Sequence, residues 1–171
     1  MKRIALIMTI GVMALTVFSH NPVKAQTNLY KLHSLFVYNF VKNIKWENVG
    51  NEFVIGVYNN SNVHKEFIQN FSNKNIGGKS FNIKGITTTD EAKACQIVYI
   101  PKANKSKTTA LIDELNGHQI LVVTEEDLVS EGASISFELV GSKLNFKINK
   151  NNTDQKGLKI SSSLLALGTV I

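Results

Sequence analysis

Beyond residue 25 the chain has three histidines, His33, His64 and His118, and they are the first candidates for metal or acid–base chemistry. They fall in three separate segments. None has a histidine or cysteine three or four residues away, the spacing that builds a zinc or iron site on one helical face. His33 lies among apolar residues, where a neutral, hydrogen-bonded core histidine is expected. The acids offer little more. Asp113-Glu114 and Glu125-Glu126-Asp127 suit helix starts and surfaces, and adjacency in sequence does not set two carboxylates across a cleft as glycoside hydrolysis requires. Ser161 to Ser163 form a serine run with no placed base, and no G-x-S-x-G elbow occurs. The stretch "NIGGKS" ends in Lys-Ser, but the spacing is that of neither a P-loop nor a dinucleotide fingerprint. These residues point away from an enzyme, a metal site or a bound cofactor. Cys95, the sole cysteine, sits in "ACQIVYI" and reads as a small buried hydrophobe.

What remains is binding. Residues at the carboxyl ends of parallel strands are the usual ligand groups of an open α/β sheet. Three apolar runs, "FVIGVY", "QIVYIP" and "QILVVTEED", have the look of such strands. Their ends supply Asn59, Asn60 and Ser61, then Pro101 and Lys102, then Thr124 and Glu125. Being polar and close to helix starts, they suit a small anionic or zwitterionic ligand. Ordinary caps and turns use the same residue types, so both readings stay open.

The elements that must hold these groups can be read from periodicity. Asn28 or Thr27 caps a helix from near Leu29. Leu29, Leu32, His33, Phe36, Val37, Phe40, Val41 and Ile44 make its apolar face. Lys31, Tyr38, Lys42 and Lys45 fall opposite, which makes Tyr38 and Lys42 exposed candidates for contact with a partner. Trp46, the only tryptophan, ends this helix just before the first strand; it reads as a structural plug at that strand's amino end. Val63, Phe67, Ile68 and Phe71 give a second helix, closed by the glycines of "NKNIGG". "KSFNIKGIT" alternates as an edge strand. A helix from Lys107 to Leu115 ends at Asn116-Gly117, and Thr124 is placed to cap a short helix after the third strand. "ASISFELVGSKLNFKINK" alternates on both sides of Gly141-Ser142, as an antiparallel hairpin does. The expected fold is therefore a single three-layer α/β/α domain. Its central sheet is mainly parallel, with the C-terminal hairpin at one edge.

The first 25 residues read as a secretory signal. Lys2 and Arg3 precede an apolar run from Ile4 to Phe18, and Val23 and Ala25 occupy the positions read by a signal peptidase. The run is shorter than the ~20 residues that span a bilayer, so a soluble protein in the periplasm is expected, with no stable membrane insertion. Residues 26–171 are then the folded domain. The net charge of +6 loses three lysine and arginine charges with the leader, leaving +3, too little to argue for nucleic acid.

Six segments in order, "YNFVKNIKW", "FVIGVY", "ACQIVYIP", "LVVTEE", "GASISFELVGSKLNFKIN" and "GLKISSSLLAL", resemble the YfiR family of periplasmic proteins, also described as YfiR/HmsC-like. The resemblance runs from about Tyr30 to Leu167. It implies a non-enzymatic repressor that binds the periplasmic sensor domain of a membrane diguanylate cyclase and limits cyclic-di-GMP signalling. It also implies association into a homodimer. The alternative is a stand-alone periplasmic module that binds a nucleotide or amino acid. Studied members respond to redox through disulfides, which Cys95 alone cannot form within the chain. Where familiar relatives carry basic residues in the closing motif, this chain has Ser163 and Ala166.

Overall fold

The computed structural model describes residues 22–171 apart from Asn48. The leader expected from the sequence lies almost wholly outside those residues. The first helix, α1, spans Pro22–Asn43, with Thr27 and Asn28 inside it rather than at its cap. Proline suits a first helical position, and no breaker follows to stop the helix short of Leu29. After α1 come β1 (Ile44–Lys45) and β2 (Glu52–Tyr58), then α2 (Ser61–Phe71), β3 (Asn75–Ile76) and β4 (Lys79–Ile86). A short α3 (Thr89–Lys93), not evident from periodicity, leads to β5 (Ile97–Ile100), α4 (Lys105–Glu114) and β6 (Leu121–Thr124). A 3-10 turn at Val129–Glu131 precedes β7 (Ile135–Val140) and β8 (Lys143–Ile148). The chain then runs through α5 (Lys150–Gln155), β9 (Lys159–Ile160), α6 (Ser162–Leu165) and β10 (Thr169–Val170).

The main sheet has the order β10-β8-β7-β6-β5-β2-β4-β3. Its centre, β4-β2-β5-β6-β7, is parallel throughout. The antiparallel hairpin β7–β8 lies towards one edge, pairing Phe137 with Phe146 and Ile135 with Ile148, and β10 is added beyond it. The expected α/β class and hairpin placement match this arrangement.

Alternation along the strands divides the core. Ile55, Val57, Ile97, Tyr99, Leu121 and Val123 face α1 and α2 in an aromatic-rich cluster with Phe40, Phe67 and Phe137. Val98, Ile100 and Val122 face the other way, onto Ala92 of α3 and Leu111, Ile112 and Leu115 of α4. A strand buried on both faces must be apolar at every position, which is why these runs are continuous.

Four local expectations are corrected. Gly77 and Gly78 do not end α2, which stops at Phe71. Both have positive φ, 56° and 80°, and form the two-residue turn of the β3–β4 hairpin. β3 covers only Lys79 and Ser80 of β4, so from Phe81 onward β4 is the edge strand expected. Tyr38 does not face solvent. α2 packs beside α1, and the Tyr38 ring is half-buried, edge-on to Phe71 and Phe81. Leu139 alternates correctly yet is 65% exposed, because the hairpin projects past the layer that would cover it. Leu32 likewise belongs to the apolar stripe of α1 but is exposed.

Candidate functional site

Among the parallel strands the order reverses between β2 and β5: the chain steps from β2 outward to β4, then returns past β2 to β5 and onward to β6 and β7. The carboxyl ends of β2 and β5 flank this switch point, where α/β sheets open a crevice.

The end of β2 shows how the chain reaches it. Asn59 has a left-handed φ of 48°, a conformation asparagine tolerates better than most residues. Its N–H donates to the Ile86 carbonyl (2.9 Å), tying β2 to the end of β4. Asn60 then turns extended and caps α2, its Oδ1 accepting from the N–H groups of Asn62 (3.2 Å) and Val63 (3.1 Å). Ser61 is the exposed first residue of α2. Next to Asn60 a polar cleft of about 290 Å³ is lined by Gln26, Tyr30, Asn62, Lys65, Glu66 and Gln69. Asn62, Lys65, Glu66 and Gln69 follow the i, i+3, i+4, i+7 spacing of one helical face. That pattern is legible in the sequence but points to nothing until α1 is packed beside it.

The other named residues gather under the ends of β5 and β6. The Lys102 N–H donates to Glu125 Oε2 (2.8 Å), and its Nζ lies 3.5 Å from Glu126. Glu125 is half-buried, and desolvation raises its pKa above the ordinary carboxylate value. Thr124 is fully buried. Its hydroxyl bonds Ser136 Oγ (2.6 Å) and the Glu126 carbonyl (2.7 Å), and the 3-10 turn that follows has no side-chain cap. Thr124 therefore neither caps a helix nor presents a hydroxyl to a ligand. Of the residues named from sequence, Asn60 lines the cleft; Lys102 and Glu125 meet each other; Thr124 is interior.

Beneath the crevice, His33 Nδ1 and Tyr99 Oη are 2.7 Å apart, both buried. The imidazole stacks on Phe137 with ring centroids 4.2 Å apart and nearly parallel. Burial pushes the His33 pKa down to about 4, so the ring is neutral at physiological pH. Burial also raises Tyr30 and Tyr99, with the Glu125 charge adding to it. His33 is thus the satisfied core histidine expected from its setting.

At the opposite end of β2, Trp46 packs edge-on against Phe53 (4.9 Å between centroids). The segment before it, β1, pairs antiparallel with β9, joining Ile44 to Ile160, and Ser161 donates its N–H to the Asn43 carbonyl (2.8 Å). The "YNFVKNIKW" and "GLKISSSLLAL" segments, far apart in sequence, therefore form one corner. The buried Trp46 Nε1–H has no protein acceptor among the described residues. Cys95 is buried, its thiol directed at the Glu91 carbonyl and its pKa pushed up to about 11 by desolvation. Lys42 is exposed, with its Nζ 5.7 Å from the Tyr38 ring centroid and Lys74 Nζ at 5.2 Å.

The model of the YfiR/HmsC-like family matches residues 30–169. The chain belongs to that family. The YfiR/HmsC-like match opens at Tyr30 in the switch-point cleft and reaches Thr169 in β10, so it takes in the whole order of strands described above. No curated protein matches the sequence. Among solved structures, the ABC domain in complex with L-Trp from Streptococcus pneumonia is similar, with a TM-score of 0.51 and 16% identity. The alignment covers 71% of this chain and 56% of that one, so the chain spans just over half of its length. At that identity the likeness is one of fold.

Proposed function

We propose that the protein is exported to the periplasm and acts there as a non-enzymatic regulator. In this reading it binds the periplasmic sensor domain of a membrane diguanylate cyclase and so limits cyclic-di-GMP signalling. Membership of the YfiR/HmsC-like family over residues 30–169 is the observation that carries it. The charged start, apolar run and "VKA" of residues 1–25 support export, with 26–171 as the exported domain. Among the described residues no helix is long and apolar enough to cross a membrane. The chemistry of the interior supports binding over catalysis: buried His33 is engaged with Tyr99 and buried Thr124 with Ser136.

A regulator of this kind needs an apolar contact surface. Exposed apolar side chains for one lie along the β7–β8–β10 edge: Leu139 and Val140, which point to opposite faces of β7, and Leu167 and Val170, all between 44% and 73% exposed. Lys42, beside Tyr38, offers a basic rim on a separate face. Affinity capture of the membrane fraction with tagged protein tests the surface. Wild type should recover the sensor protein and Leu139→Asp should lose it while melting at the wild-type temperature. Capture unaffected by Leu139→Asp and Leu167→Asp would move the contact off this side.

A second reading is favoured by the switch-point cleft, where Lys65, Glu66, Asn60 and Gln26 present both charges and amides suited to a zwitterion or nucleotide. The structural relative bound to L-Trp supports an amino acid. Thermal melts with amino acids and nucleotides test it, since a true ligand raises the melting temperature with its concentration. A flat response to the whole set would remove this reading.

A further inference from the structure

The amino ends of the parallel strands carry a second cleft, of about 490 Å³, between the end of α4, the turn before β7 and α5. Asn116, Ser130, Asn151, Asn152 and Gln155 give it an amide and hydroxyl lining. Among the described residues Lys156 is the only charged one on its walls, and no carboxylate lines it.

Lys156 is 5% exposed. An ammonium carries three donors, yet the one acceptor that its Nζ meets among the described residues is the Ile120 carbonyl, at 3.4 Å. That is longer than an ordinary N–H···O bond. Of the acids on the bordering elements, Asp154 of α5 pairs with Lys150 (2.5 Å) and Glu131 of the 3-10 turn with Lys105 (2.7 Å), while Asp113 and Glu114 of α4 are exposed and do not line the cleft. Desolvation lowers the Lys156 pKa to about 8, which leaves the ammonium largely protonated at neutral pH. A buried cation is normally paired with an anion or fully hydrogen-bonded. Asn149, also on the wall, spends its Nδ2 on the Val129 carbonyl (2.9 Å), but other amides of the lining keep donors free. Asn152 Oδ1 accepts from Ser134 Oγ (2.8 Å), while its Nδ2 has no protein partner among the described residues.

We propose that this cleft binds a small polyhydroxylated oxyanion, with its carboxylate or phosphate on Lys156 and its hydroxyls on the asparagine and glutamine amides. The site lies at the opposite end of the sheet from the switch point and does not depend on the regulatory reading. A satisfied ammonium and a filled polar cleft are gained in one event, which a purely apolar or cationic ligand would not achieve.

Thermal melts of the full chain with glucose 6-phosphate, gluconate and glucose decide it. Wild type should be stabilised by at least one of the two anions, with a melting temperature that keeps rising with the logarithm of its concentration, and uncharged glucose should do much less. Lys156→Met, which keeps the volume and removes the charge, should bind that anion at least roughly tenfold more weakly. Should Lys156→Met fail to fold, Asn151→Asp at the exposed rim places a negative charge in the cleft and should likewise weaken the response. Equal responses of wild type and the variants would overturn the proposal, and so would melts that neither anion shifts.

Discussion

The two ends of the sheet treat their polar groups differently. At the carboxyl ends, polar side chains are largely satisfied by the protein itself: Asn60 caps α2, Thr124 bonds Ser136, Glu125 holds the Lys102 N–H, and His33 meets Tyr99. At the amino ends, Lys156 is buried with one long hydrogen bond and the amides around it point at a cleft. Groups of the first kind stabilise the fold. The second kind costs stability and is tolerated where a ligand completes it. The general rule for α/β sheets directs attention to the carboxyl ends, whereas here the unmet need lies at the other end.

Substitutions at the two ends should therefore shift stability in opposite directions. The largest effect belongs to His33→Ala. It deletes a buried ring stacked on Phe137 and orphans the Tyr99 hydroxyl, and should cost about 3 kcal/mol in urea unfolding. A cost below about 1 kcal/mol would mean the site collapses without loss and is not a packed polar pair. Acid should attack the same place. Unfolded, an ordinary histidine takes its proton near 6.5, but folded His33 resists until about 4. The unfolded chain thus binds more protons in that interval, and stability should fall as pH drops from 6.5 towards 4. His33→Phe should flatten this slope.

His33→Phe itself should cost about 2 kcal/mol at neutral pH by leaving the Tyr99 hydroxyl unpaired, and adding Tyr99→Phe should recover most of it. If the double variant is simply additive, the two groups are not coupled. Smaller again is Asn60→Ala, a lost helix cap worth about 1 kcal/mol, measured by the same unfolding curves. At the amino end the sign should reverse. Lys156→Met removes a buried, underpaired charge and should leave the ligand-free protein unchanged or more stable by up to about 1 kcal/mol. A clear loss of stability would show that the Ile120 contact is structural and would erase the difference between the ends.

Much of this was legible in the residues. "FVIGVY", "QIVYIP" and "LVVT" are apolar at every position because both faces are covered, and the hairpin announced itself by alternation around Gly141-Ser142. The central parallel strands and the crossover helices α2 and α4 followed from that rhythm, whereas the short α3 did not. Single-helix periodicity could not show that α2 buries the outer side of α1, so Tyr38 read as exposed. The same limit hid Leu139: alternation tells which way a side chain points, not whether a layer lies there. Gly77-Gly78 suits a helix end and a hairpin turn equally, and only pairing of Ile76 with Lys79 distinguishes them. Within the site, Asn60 was readable both as a cap and as a ligand group, and the cap is what its oxygen does. Lys156 was unreadable. It belongs to the polar turn "NNTDQKG", and its burial arises from the docking of α5 beside Ile120, a contact across 36 residues.

The regulatory reading meets its most direct test in the cell. Deleting the gene should raise intracellular cyclic-di-GMP, and restoring the wild-type chain should return it to the starting level. An unchanged level on deletion, in cells that otherwise make the protein, would contradict a role in restraining a diguanylate cyclase.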